Sequence, residues 1–290
     1  MIDAHLHLWL RQDGRVNGLP VYHLGGGLAQ FGAEQKQMMP AYMDDGVNSA
    51  ERLIANMNFA QVAAAVITQE YIDGNQDAYL RQVRRRYPNR FRVCSLYEEK
   101  PLEYDDLWMD GVKICGFRLN DQDLTHHEQA FAFAARNGRF ISIDLADGDL
   151  QTGSLQEMIR QYPQLPIAIG HFGMSNKQGW QAQFRLALNP NVYVESGGIT
   201  WLYNSEFYPF PSAIRAIRAA ADICGMEKLM WGSDYPRTMT AITYRMSWDF
   251  VEKSAELTAQ EKQMFLHDNA RAFYGFDNLP EMPYVHHMAE

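Results

Sequence analysis

The chain has 290 residues, of which 47% are hydrophobic and 21% are charged. This is enough apolar material for one large core, since single barrel domains of about 250 residues are common. The 26 basic and 35 acidic residues give a formal net charge of −9, and an acidic surface repels nucleic acid and anionic lipid. We therefore expect a small-molecule partner, and neither nucleic acid nor membrane.

The cysteines and the start of the chain bear on its compartment. Cys94, Cys115 and Cys224 are odd in number and lack paired spacing, which argues against a disulfide framework and predicts reduced core residues. The first residues, MIDAHLHLWL, lack the basic start of a signal peptide. No apolar run reaches the ~20 residues of a membrane span. We expect a cytoplasmic protein.

The first half of the chain alternates apolar runs with helical segments. Strands are predicted at 2–7, 62–68, 90–96 and 111–119. Helices are predicted at 49–59, where Ser49 is a suitable N-cap, and at 78–87, which Pro88 ends. Residues 11–47 are rich in Gly, Gln and Met, which predicts a long, irregular, lid-like loop.

The second half repeats this alternation. Strands are predicted at 139–145, 166–172, 191–197 and 228–234, and helices at 126–137, 154–162, 179–188, 211–224, 244–255 and 259–274. Gly138 directly follows the first of these helices, where glycine is the favoured C-terminal residue.

Eight strand candidates separated mostly by helices predict the α/β class. The strands are continuous apolar runs, as in parallel sheets that are covered on both faces. We predict a single (β/α)8 TIM barrel over residues 1–290, with some distortion allowed and a tail from 278 that packs on the outside or across a neighbour. The alternative is an open doubly wound sheet, but no GxGxxG follows the first strand.

Four polar residues lie at predicted strand ends, where a barrel forms its functional face. His5 and His7 are two residues apart on the first strand and so point to the same side. His171 ends the run IAIGHF, and Asp234 ends LMWGSD. Two imidazoles on one inward face can bind a divalent cation, and a carboxylate is costly to bury unless it is ligated or paired. The alternatives are hydrogen-bonded structural histidines and a turn-capping Asp234.

With this set, the chain resembles the amidohydrolase superfamily, and within it the group called amidohydrolase family 2. The matching segments are IDAHLHLW at 2–9, IGHFG at 169–173, MWGSDYPR at 230–237 and NARAFYGF at 269–276. The resemblance covers nearly the whole chain.

Two strands depart from the superfamily pattern. Many members carry a bridging Lys or Glu on strand four and a His on strand five. Here Lys113 lies near the start of strand four, at the end away from the site, and strand five reads ISIDL, with Asp144. A two-metal site is therefore not expected. ISIDL, together with Gln69 and GFRL, is similar to the sugar-lactone and pyrone-lactone hydrolases of family 2, some of which need little or no metal.

The resemblance implies hydrolysis of a lactone or related cyclic ester of a sugar acid or a carboxylated ring. His5, His7, His171 and Asp234 would hold one divalent metal, zinc before manganese, that polarises the carbonyl. If no metal is needed, the protonated histidine pair would polarise it. Asp234 would take a proton from the attacking water and pass it to the leaving oxygen, while His171 orients the water or completes the metal shell.

Other side chains are candidates for holding an anionic or polyhydroxylated substrate. Arg118, in GFRL, offers a fork to a carboxylate or hydroxyl, and Gln69 offers a further polar contact. Trp201 and Tyr203 follow strand seven and suit stacking on a sugar or planar ring. The alternatives are a rim salt bridge for Arg118, a solvated loop residue for Gln69 and an apolar dimer patch for the aromatic residues, which leaves a homo-oligomer open.

Two other functions compete with the lactonase. A non-oxidative decarboxylase or hydratase of an aromatic or unsaturated acid would bind its metal tightly. These enzymes usually have an acid soon after HxG, whereas HFGMSNK at 171–177 has none. A barrel that binds a ligand without turnover is the third reading, and the retention of all four site residues argues against it.

Overall fold

The computed structural model describes residues 1–103, 107–286 and 288. In chain order the strands are β1 (Ile2–Leu6), β2 (Arg15–Val16), β3 (Leu19–Gly25), β4 (Leu28–Phe31), β5 (Glu34–Gln37), β6 (Ala64–Ile67), β7 (Phe91–Leu96), β8 (Gly111–Cys115), β9 (Phe140–Asp144), β10 (Ile167–Ile169), β11 (Val192–Glu195) and β12 (Leu229–Met230).

Ten α-helices are described between and after these strands. They are α1 (Ala50–Phe59), α2 (Asp77–Arg86), α3 (Glu128–Arg136), α4 (Thr152–Gln161), α5 (Gln181–Leu186), α6 (Ile199–Leu202), α7 (Pro211–Cys224), α8 (Met246–Lys253), α9 (Ala259–Gln263) and α10 (Asn269–Tyr274).

Strands β1 and β6 to β12 form one parallel sheet of eight strands, each beside the next along the chain. The two ends of this sheet meet. Ala4 N donates to Trp231 O (2.8 Å), and Asp234 N donates to His5 O (2.9 Å). These bonds close the sheet, and the predicted (β/α)8 TIM barrel is confirmed.

The barrel is held by apolar side chains on both sides of its strands. Every residue of β1, β6, β8 and β9 is buried, because helices cover one face and the barrel interior the other. Helix α7 shows how the helices dock: its buried residues recur at helical spacing and include Ala213, Ile214, Ile217, Ala220 and Cys224.

The helix-end signals in the sequence act as expected. The Ser49 side chain accepts a hydrogen bond from Arg52 N, which caps α1. Gly138 adopts φ 61° just after α3, a left-handed conformation that favours glycine. Cys94, Cys115 and Cys224 are buried and free, as predicted.

The prediction that residues 11–47 form an irregular loop is wrong for most of this segment. Residues 15–37 form a four-stranded antiparallel sheet in the order β2-β3-β4-β5. The signal was present, since Asn17 and Gly18 both have positive φ (50° and 76°) and join β2 to β3 as an Asn-Gly hairpin turn. Val21, Ala29, Met38 and Ile72 form a small apolar cluster beneath this sheet, so the segment is anchored to the barrel.

The last predicted helix, 259–274, is interrupted. A π-helical turn, Met264–Asp268, separates α9 from α10. Of the predicted tail, residues 278–286 and 288 are described, and Pro283 O accepts a hydrogen bond from Gln61 Nε2. Within the described residues, no helix combines the length and apolar character needed to cross a bilayer.

The contact between β8 and β9 gives a stability test. Gly111 pairs with Phe140, and a Cβ at Gly111 would overlap the Phe140 ring. We expect Gly111→Ala to lower the free energy of unfolding, measured by urea denaturation, by about 1–3 kcal/mol. The control is Gly153→Ala in α4, where nothing lies within 4 Å and alanine should add about 0.5–1 kcal/mol. Unchanged stability of Gly111→Ala would contradict this packing.

Candidate functional site

The paired histidines of the first strand converge with Asp234 at the mouth of the barrel. His5 Nε2 lies 3.2 Å from His7 Nε2, which lies 2.9 Å from Asp234 Oδ1. All three residues are at least 98% buried. Three of the four residues predicted for the site therefore meet at one point, as their spacing on β1 and position after β12 suggested.

Glu195, at the end of β11, contacts the Nδ1 side of the His5 ring. Its Oε1 lies 2.6 Å from His5 Nδ1, and its Oε2 accepts a hydrogen bond from Gly197 N (2.5 Å). An Nδ1 proton shared with a carboxylate leaves a lone pair on Nε2, which is the arrangement of a histidine ligand. From the sequence, Glu195 at the end of the apolar run VYVE was a residue that could point into the site, but nothing in the sequence assigned it a role.

Three motif glycines make room for this pair. A Cβ at Gly170 would lie 2.9 Å from Glu195 Oε1, one at Gly197 would lie 2.7 Å from His5 Cγ, and one at Gly232 would lie 2.8 Å from His5 Cβ. These separations are too short for any real Cβ. The glycines of IGHFG, VESGG and MWGSD are therefore required by the buried His5–Glu195 contact.

Asp234 is fixed at both carboxylate oxygens. Trp201 Nε1 donates to Oδ2 (2.8 Å), and Arg237 Nη1 lies 3.5 Å from Oδ1, beside His7. Although burial alone would raise it, the His7 hydrogen bond and the Arg237 charge hold the pKa of Asp234 well below its usual range. Asp234 is therefore ionised at physiological pH.

His171 lies beside His5, with ring centroids 4.7 Å apart. Its Nδ1 is 2.9 Å from Gly197 O, and its Nε2 is 3.4 Å from Asp144 Oδ2. Both ring nitrogens therefore face acceptors. Burial opposes the charge, but the Asp144 carboxylate outweighs it and raises the pKa of His171 to about 9. His171 is a cation at neutral pH in this arrangement.

The backbone at His171 and Asp234 is strained. Their φ angles are 51° and 59°, in the left-handed region that costs a non-glycine residue roughly 1–3 kcal/mol. Strain of this kind is concentrated at functional sites, where it aims a side chain that a relaxed turn would direct elsewhere.

Lys113 lies two residues before the last residue of β8, and its side chain nevertheless reaches toward the site. In the β8–β9 register Lys113 pairs with Ser142 and Cys115 with Asp144, so all four lie on the barrel's inner face. The long stem of Lys113 spans the two-residue offset, and its Nζ lies 2.6 Å from Asp144 Oδ1. Both residues are at least 97% buried. Position along the strand alone does not indicate this reach.

Nitrogen and oxygen donors suited to a divalent ion meet at His5, His7 and Asp234, whose ligand atoms all lie within 4.8 Å of one another. Among the described residues, His7 Nδ1 is buried without a hydrogen bond and lies 3.8 Å from Asp73 Oδ2, where an outer carboxylate would orient a ligating imidazole. Over residues 1–103, 107–286 and 288, no such three-residue group includes His171.

Charge at the mouth gives a second indication of a cation. Five nearly buried carboxylates, those of Glu70, Asp73, Asp144, Glu195 and Asp234, face three paired cations, Lys113, Arg118 and Arg237. With His171 protonated as well, this leaves an excess of one negative charge in a region where uncompensated charge is costly. A bound cation or one further protonated imidazole would offset it, and the donor set of His5, His7 and Asp234 fits a single metal.

A cavity of about 660 Å³ opens onto this centre. Its walls include His7, Phe117, Arg118, His171, Trp201 and Asp234. Gln37 of β5 also lines the cavity, so the small antiparallel sheet forms part of its wall.

Two of the four candidate substrate contacts reach this cavity. Arg118 and Trp201 line it. Gln69 does not, because its amide donates to Asp77 Oδ1 and Cys94 O within the protein. Tyr203 also lies outside the described lining, with its hydroxyl 3.1 Å from Ser175 Oγ. Glu70, the neighbour of Gln69, lines the cavity instead and was missed.

A (β/α)8 barrel with a His-x-His strand and an aspartate after its last strand defines a class of hydrolases. Comparison with known proteins agrees: the amidohydrolase family model matches residues 2–276. The L-fucono-1,5-lactonase of Burkholderia ambifaria is 32% identical over 93% of this chain and 91% of its own. The chain belongs to the amidohydrolase family and is a hydrolase.

Solved structures share the fold at lower identity. A putative 2-pyrone-4,6-dicarboxylic acid hydrolase from Pseudomonas putida matches with TM-score 0.70 and 21% identity, covering 96% of this chain and 98% of that one. An amidohydrolase from Burkholderia multivorans with bound zinc matches with TM-score 0.67 and 18% identity, covering 96% and 99%. Lactone hydrolysis, in general terms, is the chemistry that the relative with 32% identity supports.

The raised pKa of His171 predicts a pH-dependent contribution to stability. A cation whose pKa rises from 6.5 to about 9 on folding stabilises the protein fully below pH 6.5, and this contribution is lost as the pH rises through about 9. In the presence of a metal chelator, we expect the difference in free energy of unfolding between wild type and His171→Gln, measured by urea denaturation, to shrink as the pH rises through that range. A difference that stays constant or grows would contradict a protonated His171.

Proposed function

We propose that the protein hydrolyses a neutral, polyhydroxylated lactone of a sugar acid, with Asp234 as the base. The observation that carries this choice is that each arginine lining the cavity is already ion-paired. Arg118 Nε lies 2.8 Å from Glu70 Oε1, and Arg237 Nη2 lies 2.6 Å from Asp73 Oδ2. The charge of each guanidinium is therefore already compensated by a carboxylate of the protein, which lowers its attraction for a substrate carboxylate.

The rest of the lining supports a neutral substrate. The carboxylates of Glu70, Asp144, Asp147 and Asp234 line the cavity with these two arginines. A dianionic ring would meet like charge from these carboxylates. A sugar lactone offers hydroxyl donors to the carboxylates and an apolar face to Phe117 and Trp201. The relative named L-fucono-1,5-lactonase supports the same choice.

Asp234 suits the part of proton acceptor. It is ionised, its carboxylate is oriented by Trp201 and His7, and it lines the cavity. A water beside it would lose its proton to Asp234 as it attacks the lactone carbonyl, and Asp234 would return that proton to the ring oxygen as the ester bond breaks. A divalent ion held by His5, His7 and Asp234 would supply a Lewis acid that polarises the carbonyl.

We assign His171 a role other than that of the metal ligand its motif suggested. As a cation whose side chain is 17% exposed, it can stabilise through its charge the negative charge that develops on the lactone carbonyl oxygen during attack. The contacts of its ring to Gly197 and Asp144 would keep it in place without rearrangement.

Substrate class can be tested by proton release, followed with a pH indicator, after chelation and again with added Zn²⁺ or Mn²⁺. We expect kcat/KM for neutral sugar 1,5-lactones to exceed that for 2-pyrone-4,6-dicarboxylate by roughly 100-fold or more. Glu70→Gln would remove the carboxylate that pairs with Arg118. It should reduce this ratio by raising kcat/KM for the carboxylated substrate. Equal turnover of both classes by wild type would refute the neutral-substrate choice.

The base can be tested on the best lactone of that panel. Asp234→Asn keeps the shape of the side chain but cannot accept the proton, so kcat should fall by about 10²–10⁴-fold. Asp222→Asn, an exposed position on α7, is the matched control and should retain wild-type kcat. Full turnover by Asp234→Asn would show that another group activates the water.

A further inference from the structure

The ion pair of Lys113 and Asp144 lies beside His171, and the chemistry described above uses Asp144 but gives Lys113 no part. Lys113 is 0% exposed, and Asp144 is 3% exposed. Burying two charges costs several kcal/mol per ion, and well-packed apolar residues often stabilise a fold equally well. A pair placed at the active-site end of the barrel interior therefore calls for a functional explanation.

We propose that Lys113 is a positioning residue for His171, acting through Asp144. The inference rests on the proposed function, in which His171 contacts the lactone.

Each oxygen of Asp144 faces a different partner. Oδ1 accepts a hydrogen bond from the Lys113 ammonium at 2.6 Å, while Oδ2 is buried, has no hydrogen bond within the described part of the chain and faces His171 Nε2 at 3.4 Å. A Cβ at Gly170 would overlap Asp144 Oδ1, so the chain leaves space for the carboxylate in this orientation. Lys113 thus determines which way the second oxygen points.

The ring of His171 is oriented by two acceptors. Gly197 O, at Nδ1, is part of the backbone and is fixed by the fold. Asp144 Oδ2, at Nε2, is on a side chain whose orientation depends on Lys113. Without the ammonium, the buried carboxylate would lack its counter-charge and would rotate or take up a proton. The ring edge that faces the cavity would then lose its fixed direction.

The test is a double-mutant cycle between Lys113→Met and His171→Gln. Lys113→Met alone should lower kcat by roughly 100-fold, the cost of misplacing a catalytic group by about 1 Å, while KM stays near the wild-type value. In the His171→Gln background the same change should have no further effect on kcat, because Lys113 acts only through His171. Additive losses, or a loss confined to KM, would overturn the proposal.

Arg84→Met is the matched control. It breaks a partly buried ion pair with Asp110, at 2.8 Å, in which neither residue lines the cavity. It should lower stability without lowering kcat. If Lys113→Met alone does not fold because Asp144 is left unpaired, Lys113→Met/Asp144→Asn removes both charges and should show the same loss of kcat and the same non-additivity with His171→Gln.

A readout without substrate separates this proposal from the lactonase. In ¹⁵N-histidine-labelled protein, the His171 ring N–H signals, assigned by their absence in His171→Gln, should be protected from solvent exchange in wild type and Arg84→Met. They should be lost or broadened in Lys113→Met. Protected signals that persist in Lys113→Met would overturn the positioning role, whereas a wild type inactive on all lactones would overturn only the proposed substrate.

Discussion

Compensation of buried negative charge is the constraint on which this protein depends. Five carboxylates lie nearly buried at one end of a barrel whose walls are otherwise apolar. Each has an identified neighbour, whether imidazole, ammonium, guanidinium or indole N–H. Because an unpaired charge in such a place costs more than most single contacts contribute, the positions of these partners are tightly restricted.

That constraint accounts for features that are otherwise unrelated in the sequence. Glycines at three strand ends clear space for the His5–Glu195 pair. Left-handed backbone at His171 and Asp234 turns both side chains toward the same centre. The barrel supplies a rigid frame in which these strained positions persist, since neighbouring strands fix the backbone on both sides.

The barrel and the His5, His7 and Asp234 group could be predicted because each follows from local pattern. Apolar runs give strands, period two places both histidines on one side, and strand ends share one face. Lys113 and Glu195 were left without a role because their contacts depend on side-chain reach across neighbouring strands, which the position along one strand does not give. Gln69 was expected to contact the substrate, but its amide donates hydrogen bonds to Asp77 and Cys94 within the protein, which no local sequence pattern indicates.

The closure of the barrel by β1 against the segment after β12 has a consequence for biosynthesis. Asp234 N donates to His5 O, and Asp234 Oδ1 meets His7, so the earliest and nearly the latest parts of the chain must join before the centre exists. A chain emerging from the ribosome carries its histidine pair from the start without the carboxylate that completes it. Any divalent ion captured at this centre is therefore acquired after translation has passed residue 234, and a fragment lacking the final strand cannot retain it.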